Sequence, residues 1–312
     1  MKTTFITIVI ILTITLCDTK ETNSVRKLLK RRKNENRATP IILWHGMGDN
    51  CCDPLSIGRI KKLLEKEIRG VYVHSIMIGD NVVSDTTYGY FGNVNNQISE
   101  VCQQIGNVVE LKNGYNAIGF SQGAQFLRGL VERCPSPPMK NLISVGGQQQ
   151  GVYGIPYCPP KDFLCEKMRQ LIDLGAYTWF IQSTLVQAQY WHDSLNENEY
   201  QTKSIFLADI NNEKAINEDY KKNLNMLENF VLVKFSNDSM VKPVESEWFG
   251  FYEPNSVSKI LEMEETRLYR EDRIGLKKMK NDGKLHFLLL NGDHLQIPDS
   301  VFVSEIIEKF LK

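Results

Sequence analysis

The 312-residue sequence predicts an α/β domain with a mostly parallel central sheet, and three observations support this prediction. Short β-branched runs alternate with stretches of helical periodicity, which is the pattern of βαβ units. Apolar residues make up 42% of the chain and charged residues 24%, as expected for a globular protein with a sizeable core. The length fits one domain, because α/β folds commonly fill this range as a single unit.

The predicted elements follow one another along residues 38–312, which we expect to form the folded domain. Strands are predicted where runs rich in Val, Ile, Leu and Phe are bounded by turn residues. They cover residues 40–44, 71–78, 115–120, 141–145, 204–208, 230–235 and 285–290. Helices are predicted where apolar residues recur with helical spacing. They cover residues 58–67, 93–102, 122–133, 166–174 and 302–311.

The alternation stops between Gln148 and about Lys222. Glycines, prolines and two cysteines are followed there by an amphipathic stretch at residues 176–192 that is rich in glutamine and aromatic residues. We interpret residues 148–222 as a largely helical insertion on the rim of the sheet, not as a separate domain.

The N-terminal 37 residues are expected to lie outside the fold. Lys2 precedes an apolar run at 5–16 that is too short to span a bilayer comfortably, which predicts a signal peptide over residues 1–17. An uncleaved membrane anchor is the alternative. Residues 18–37 include the basic stretch 26–33, interpreted as a solvated linker or a trimmed pro-segment, with a partner-binding patch as the alternative.

The charge pattern after residue 37 gives no sign of a nucleic-acid partner. That part of the chain has 28 Lys and Arg against 34 Asp and Glu, and no basic stripe is interleaved with aromatic residues. No later segment is apolar and long enough to predict a stable membrane span.

Six cysteines remain once Cys17 is removed with the signal peptide. An even number in a secretory context argues for up to three disulfides. No Cys-x-x-Cys pair or Cys/His cluster has the spacing of metal ligands, so we predict no metal site. The six are Cys51, Cys52, Cys102, Cys134, Cys158 and Cys165.

The strongest local signal is Gly119-Phe-Ser-Gln-Gly123. It follows the predicted strand 115–120 and opens the predicted helix 122–133, the context in which G-x-S-x-G forms the nucleophile elbow of the α/β-hydrolase fold. The alternative is a plain turn. We predict Ser121 as the nucleophile, with the helix N-terminus favouring a developing oxyanion.

A second motif, His45-Gly-Met-Gly48, ends the first predicted strand. Hydrolases of this fold place the second oxyanion N–H there, so we predict the backbone amides of Met47 and Gln122 as the oxyanion hole. The alternative is a glycine-rich turn, in which His45 packs or forms hydrogen bonds.

The remaining catalytic groups are predicted from chain order, which in this fold is serine, acid, histidine. His294 follows the strand 285–290 in a loop and is the predicted base, whereas the other histidines precede the serine, lie in the insertion or lie inside a strand. Asp238, in the turn after strand 230–235, is the predicted acid. Asp209, at the end of strand 204–208, is the runner-up, and Asp293 is too close to His294 to accept from its ring.

Several stretches between Pro40 and the C-terminus together closely resemble the palmitoyl-protein thioesterase family of lysosomes. Many of them are not generic to hydrolases. They are residues 45–49, 51–52, 119–128, 133–138, 144–148, 190–193, 205–211, 247–252 and 292–296.

The resemblance implies the same catalytic and oxyanion residues as the motifs. It also implies disulfides Cys51–Cys52, Cys102–Cys134 and Cys158–Cys165, and an insertion after the sixth strand that helps to form a fatty-acyl groove. Family members usually carry several glycosylation sequons, but here only Asn237-Asp-Ser239 is an acceptor, so Asn237 is the predicted glycosylation site. Delivery to lysosomes, or secretion, is the expected destination.

The expected function is removal of palmitate from S-acylated cysteines of proteins or peptides, with no cofactor. A lipase, an esterase or an acyl-CoA thioesterase on the same fold is the first alternative, and a non-catalytic lipid-binding relative is the second. Within residues 176–192, Trp179 and Leu185 are predicted to face the acyl groove. An ordinary amphipathic helix that packs on the sheet is the alternative for this stretch.

Overall fold

The central sheet has six strands in the order β2-β1-β3-β4-β5-β8, and each neighbouring pair is parallel. The computed structural model describes residues 38–154, 163–173 and 175–312. The parallel sheet predicted from the sequence is confirmed, and a short antiparallel pair, β6 with β7, lies outside it. The strands are β1 (Ile41–Trp44), β2 (Val73–Ser75), β3 (Tyr115–Phe120), β4 (Met139–Val145), β5 (Asn229–Phe235), β6 (Phe251–Tyr252), β7 (Ile260–Leu261) and β8 (Leu285–Leu290).

Both faces of the sheet are covered by helices. Every residue of β1 and β3 is buried, as expected for strands with packed faces on both sides. On one face Trp44 meets Phe126 edge to face, with ring centroids 5.5 Å apart. On the opposite face Phe120 stacks on Phe302 of the C-terminal helix. This architecture is the α/β-hydrolase fold.

Two of the helices that flank the sheet begin at asparagine caps. Asn81 and Ser84 form a capping box at the start of helix Val82–Tyr88, and the Asn93 side chain caps helix Val94–Asn107. The latter helix extends five residues beyond the predicted end at 102, because its apolar spacing continues through the buried Ile105. The other helices outside the insertion are Ile57–Glu67, Gln122–Arg133, Arg267–Arg270, Leu276–Asn281 and Asp299–Phe302, which continues as the π-helix Val303–Leu311.

The segment between β4 and β5 is largely helical, as predicted. In the described part of the chain this segment follows the fourth strand, since only β1 to β3 precede β4. The resemblance had implied an insertion after the sixth strand. Its helices are Phe163–Asp173, Trp179–Thr184, Val186–Gln189, Glu197–Lys203, Leu207–Ile210 and Glu218–Leu224.

The predicted strand at 204–208 is wrong. Leu207–Ile210 forms a short helix, and Phe206, Leu207 and Ala208 are fully buried in the main core. A short apolar run has the same sequence pattern whether it forms a strand or a buried helix, because burial on all sides removes the periodicity that distinguishes the two.

Two of the three expected disulfides lie in the described residues. Cys51 bonds its neighbour Cys52, and Cys102–Cys134 ties helix Val94–Asn107 to the end of helix Gln122–Arg133. The expected Cys158–Cys165 bond, the signal peptide 1–17 and the segment 18–37 lie outside the described residues. In the described ranges, no helix has both the length and the apolarity needed to cross a bilayer.

Candidate active site

Ser121 occupies a sharp turn between β3 and helix Gln122–Arg133. Its backbone has φ 53° and ψ −126°, a conformation that L-residues rarely adopt. The turn is held because the Ser121 N–H donates to the Val145 carbonyl at 2.8 Å and the Ser121 carbonyl accepts from the Ala124 N–H at 3.0 Å. The hydroxyl is therefore presented at the carboxyl edge of the sheet, beside the start of a helix.

The glycines around Ser121 are explained by close backbone contacts. A Cβ on Gly119 would lie 2.3 Å from Ala124 Cα, and a Cβ on Gly123 would lie 2.4 Å from the carbonyl oxygens of Trp44 and His45. Neither glycine has a positive φ, so the requirement is space and not backbone conformation. The motif thus lets the helix start directly against the end of β1.

Replacing Gly123 by alanine is expected to shift the elbow and lower activity by at least about tenfold. The added methyl group would clash with backbone atoms, which cannot move away without a large cost in free energy. Gly106→Ala is the matched control, since no atom lies within 4 Å of its added Cβ in helix Val94–Asn107. That control should keep full activity and gain slightly in melting temperature. Equal activity of the two variants would contradict the packing explanation.

Three residues from three strand ends meet in one hydrogen-bonded chain. His294, in the loop after β8, places Nε2 3.0 Å from Ser121 Oγ, while its Nδ1 lies 2.5 Å from Oδ2 of Asp238. Asp238, in the turn after β5, accepts the N–H groups of Met240 and Val241 on its other oxygen at 2.7 and 2.8 Å. The three predicted residues are therefore brought together, in an arrangement that can activate a serine hydroxyl.

The charge state of Asp238 suits this arrangement. Burial raises the pKa of its carboxyl, but hydrogen bonds from His294 and its other neighbours outweigh burial and lower the pKa to about 2. Asp238 is thus ionised at neutral pH and accepts the Nδ1–H of His294. Nε2 then carries the lone pair that can take a proton from Ser121.

The alternative acids lie elsewhere or have other partners. Asp209 is half-exposed on helix Leu207–Ile210, where it pairs with Arg133 at 2.7 Å and accepts from Tyr220 at 3.1 Å. The sequence had suggested that Asp209 ends a strand, but it lies in a helix. Asp293 accepts the backbone N–H groups of His294 and Ser239 and not the imidazole of His294.

Three of the other histidines are held by polar contacts. His45 lies 3.1 Å from Asp85 through Nε2, and His192 contacts Glu197 at 3.0 Å. His286 lies 2.7 Å from the side chain of Asn229 on β5. His45 therefore forms hydrogen bonds, the role it has in the alternative interpretation of its motif.

Met47 and Gln122, whose backbone amides were predicted to form the oxyanion hole, lie near the serine. Gln122 is the first residue of its helix, so its N–H has no partner within the helix. Met47 lines the same cavity as Ser121. Neither N–H donates to a backbone carbonyl among the residues that the structure describes. Both are available for an oxygen that gains negative charge.

The cavity beside Ser121 is lined mainly by apolar side chains, from the ends of the sheet and from the insertion. They are Met47, Val152, Ile172, Trp191, Met240 and Val241. The polar members of the lining include Gln148 and Gln187, which the sequence analysis had not selected.

The two residues predicted for the acyl groove do not line this cavity. Trp179 is 81% exposed on helix Trp179–Thr184, and Leu185 is fully buried against Tyr90 and Ile181. The stretch 176–192 forms two short helices instead of one, and the extended Leu185 between them pairs with Phe91.

Glu247 was missed by the sequence analysis and lies next to Asp238. It is fully buried on the 3₁₀-helix Val244–Trp248, and its Oε2 accepts the Phe235 N–H at 3.0 Å. One polar side-chain atom from each of Glu247, Asp238 and His294 lies within 4.8 Å of those from the other two residues. The only signal in the sequence was its position in the stretch 247–252, which contributed to the family resemblance.

The chain matches known proteins over almost the whole described domain. The family model described as palmitoyl protein thioesterase matches residues 40–294, a span that includes Ser121, Asp238 and His294. The chain is 56% identical to palmitoyl-protein thioesterase 1 of Caenorhabditis elegans, over 89% of this chain and 93% of that protein.

Two further relatives are more distant. Palmitoyl-protein thioesterase 3 of Dictyostelium discoideum is 34% identical, over 83% of this chain and 86% of that protein. Lysosomal thioesterase PPT2-B of Xenopus laevis is 25% identical, over 87% and 92%. The fold, the family match and the identity to the nematode protein lead to one conclusion: the chain belongs to the palmitoyl protein thioesterase family.

Proposed function

We propose that this protein hydrolyses thioesters between long-chain fatty acids, such as palmitate, and cysteine side chains of proteins or peptides, with Ser121 as the nucleophile. The observation that carries the proposal is the hydrogen-bonded chain from Ser121 Oγ through His294 to Asp238. The family supplies the substrate class, and the apolar lining beside Ser121 is consistent with it.

The reaction proceeds in two halves through an acyl-enzyme. Ser121 Oγ attacks the thioester carbonyl carbon as its proton passes to His294 Nε2, and the carbonyl oxygen becomes an oxyanion. The N–H groups of Met47 and Gln122 stabilise that oxyanion, an effect worth about 3–4 kcal/mol per donor in comparable hydrolases.

Collapse of the intermediate breaks the carbon–sulfur bond, and the cysteine thiol leaves with the proton held by His294. A water molecule then attacks the acyl-serine while His294 takes one of its protons. The second tetrahedral intermediate collapses to the free fatty acid, and the proton returns to Ser121. Asp238 stays ionised throughout and stabilises the protonated imidazole.

The insertion, residues 148–222, contributes the acyl side of the site in this proposal. Ile172 and Trp191 belong to it and line the cavity that contains Ser121. Burial of the chain contributes about 0.8 kcal/mol per methylene before ordering costs. A sixteen-carbon chain should therefore react better than an eight-carbon chain.

We further propose a secretory route to lysosomes or to the outside of the cell. The two disulfides are typical of an oxidising compartment, and a curated relative is named a lysosomal thioesterase. Asn237 has an exposed side chain, which is consistent with glycosylation there.

The function is tested by turnover of a palmitoylated-cysteine peptide beside its octanoylated form, the matching oxygen ester and palmitoyl-CoA. The palmitoylated thioester is expected to be the preferred substrate. Ile172→Asn, which places a polar group in the cavity wall, should reduce turnover of the long chain by at least about tenfold and of the short chain much less. Trp179→Ala is the matched control, because that side chain is exposed outside the cavity.

Equal losses for both chain lengths in Ile172→Asn would contradict an acyl site at this position. Preference for the oxygen ester or for palmitoyl-CoA would instead favour an esterase or an acyl-CoA thioesterase on the same fold.

A further inference from the structure

Glu247 is a buried acid beside the site that the two-step mechanism does not use. Its side chain is fully buried, and Oε2 accepts one hydrogen bond, from the Phe235 N–H. The other oxygen, Oε1, has no hydrogen-bond partner among the residues that the structure describes. A buried, ionised carboxylate oxygen without a hydrogen-bond donor costs free energy, so the protonation state of Glu247 needs an explanation.

Asp238 provides that explanation, because two buried carboxylates lie side by side. The side chain of Asp238 is also fully buried, and one carboxyl oxygen of each acid lies within 4.8 Å of one carboxyl oxygen of the other. Two negative charges this close together and buried from solvent cannot both be present, so the two carboxyl groups share one proton.

The hydrogen bonds decide which acid carries the proton. Asp238 accepts from Met240, Val241 and His294, whereas Glu247 accepts only from Phe235. The negative charge is stabilised where the donors are, which is on Asp238. The proton then belongs to Glu247, and a protonated Oε1 gains the hydrogen that turns an unpartnered acceptor into a donor.

We propose that Glu247 is a positioning residue that stays protonated at neutral pH, and that its carboxylic acid donates to the Asp238 carboxylate and holds it towards His294 Nδ1. The inference rests on the proposed role of Asp238 as the acid of the site. Among the described residues, the other ionisable groups that face this pair are His294, Lys234 of β5 and Asp293, whose carboxyl interacts with the charge of Asp238. Burial and the neighbouring Asp238 raise the pKa of Glu247 to about 10, which agrees with the geometry.

The first test separates hydrogen bonding from packing by kinetics on the palmitoylated peptide. Glu247→Gln keeps the shape and offers an amide N–H to Asp238, so kcat should stay within about threefold of wild type. Glu247→Leu removes the donor, so kcat should fall by at least about tenfold while KM changes little. Glu245→Gln, on the same 3₁₀-helix, is the matched control and should match wild type.

The second test measures the proton without using activity. The pKa of Glu247 is higher in the folded protein than in the unfolded chain, so its contribution to stability is fully present below about pH 4.5. That contribution is lost progressively as the pH rises towards 10. The melting temperature of wild type minus that of Glu247→Gln should therefore decrease steadily from pH 5 to pH 9. The same difference for Glu245→Gln should stay flat.

Two results would overturn the inference. One is equal loss of kcat in Glu247→Gln and Glu247→Leu, which would mean that an ionised carboxylate is needed. The other is a flat difference in melting temperature for Glu247→Gln, which would mean that Glu247 is already ionised at pH 5. If Glu247→Leu does not fold, the melting series decides. Failure of the proposed function is recognised separately, by an active Ser121→Ala enzyme.

Discussion

Ser121→Ala is expected to lower kcat/KM for a palmitoylated peptide by at least about 10³-fold, since loss of a triad member typically costs this much or more. The hydroxyl lies 3.0 Å from His294 Nε2 and is the only group that the proposed mechanism makes covalent. The fold should survive, because the turn at Ser121 is held by backbone hydrogen bonds that alanine retains. Circular dichroism and the melting temperature check this point.

Ser99→Ala is the matched control for that variant. Ser99 is exposed on helix Val94–Asn107 and donates only to the Asn95 carbonyl. It should keep full activity and remain reactive with a fluorophosphonate probe, whereas Ser121→Ala should lose both. Activity above about a hundredth of wild type in Ser121→Ala would refute the elbow assignment.

Asp238→Asn is expected to lower kcat by about 10³- to 10⁴-fold with a modest change in KM. An amide offers its N–H to His294 Nδ1 and so favours the tautomer with the proton on Nε2. That proton removes the lone pair that would accept from Ser121. The isosteric change leaves the packing of the turn intact, so a loss of this size would come from the proton and not from the fold.

Asp209→Asn is the matched control, since the same change is made in the acid that the sequence ranked second. Asp209 contacts Arg133 and Tyr220 on a different surface, so its replacement should change kcat by less than about threefold. A larger loss of kcat in Asp209→Asn than in Asp238→Asn would identify Asp209 as the acid. That outcome would contradict the hydrogen bond between Asp238 and His294.

The short helix Leu207–Ile210 shows where local reasoning about the fold stops. The runs at β1, β3, β5 and β8 were predicted as strands because turn residues bound them and helical stretches separate them. The run before Asp209 is also apolar but is buried in the main core, where Phe206 packs against Phe126 of helix Gln122–Arg133. Its environment, not its composition, selects a helical turn.

The candidate site divides in the same way. Ser121 could be identified locally, because an elbow needs glycines at 119 and 123 and a strand and helix on either side, all of which are contiguous in the sequence. His294 and Asp238 followed from chain order and from their places after strands, since parallel strands bring their carboxyl ends to one edge of the sheet. These assignments need no knowledge of how the insertion packs.

The sequence by itself therefore determined the parallel sheet, the elbow and the chain order of the three candidate catalytic residues, because each depends on contacts between neighbours or on strand polarity. Only the tertiary structure decided that Trp179 is exposed, that Leu185 is buried away from the cavity and that Glu247 lies against Asp238. Those facts depend on side chains far apart in the sequence that compete for the same buried space. No local pattern records the outcome of that competition.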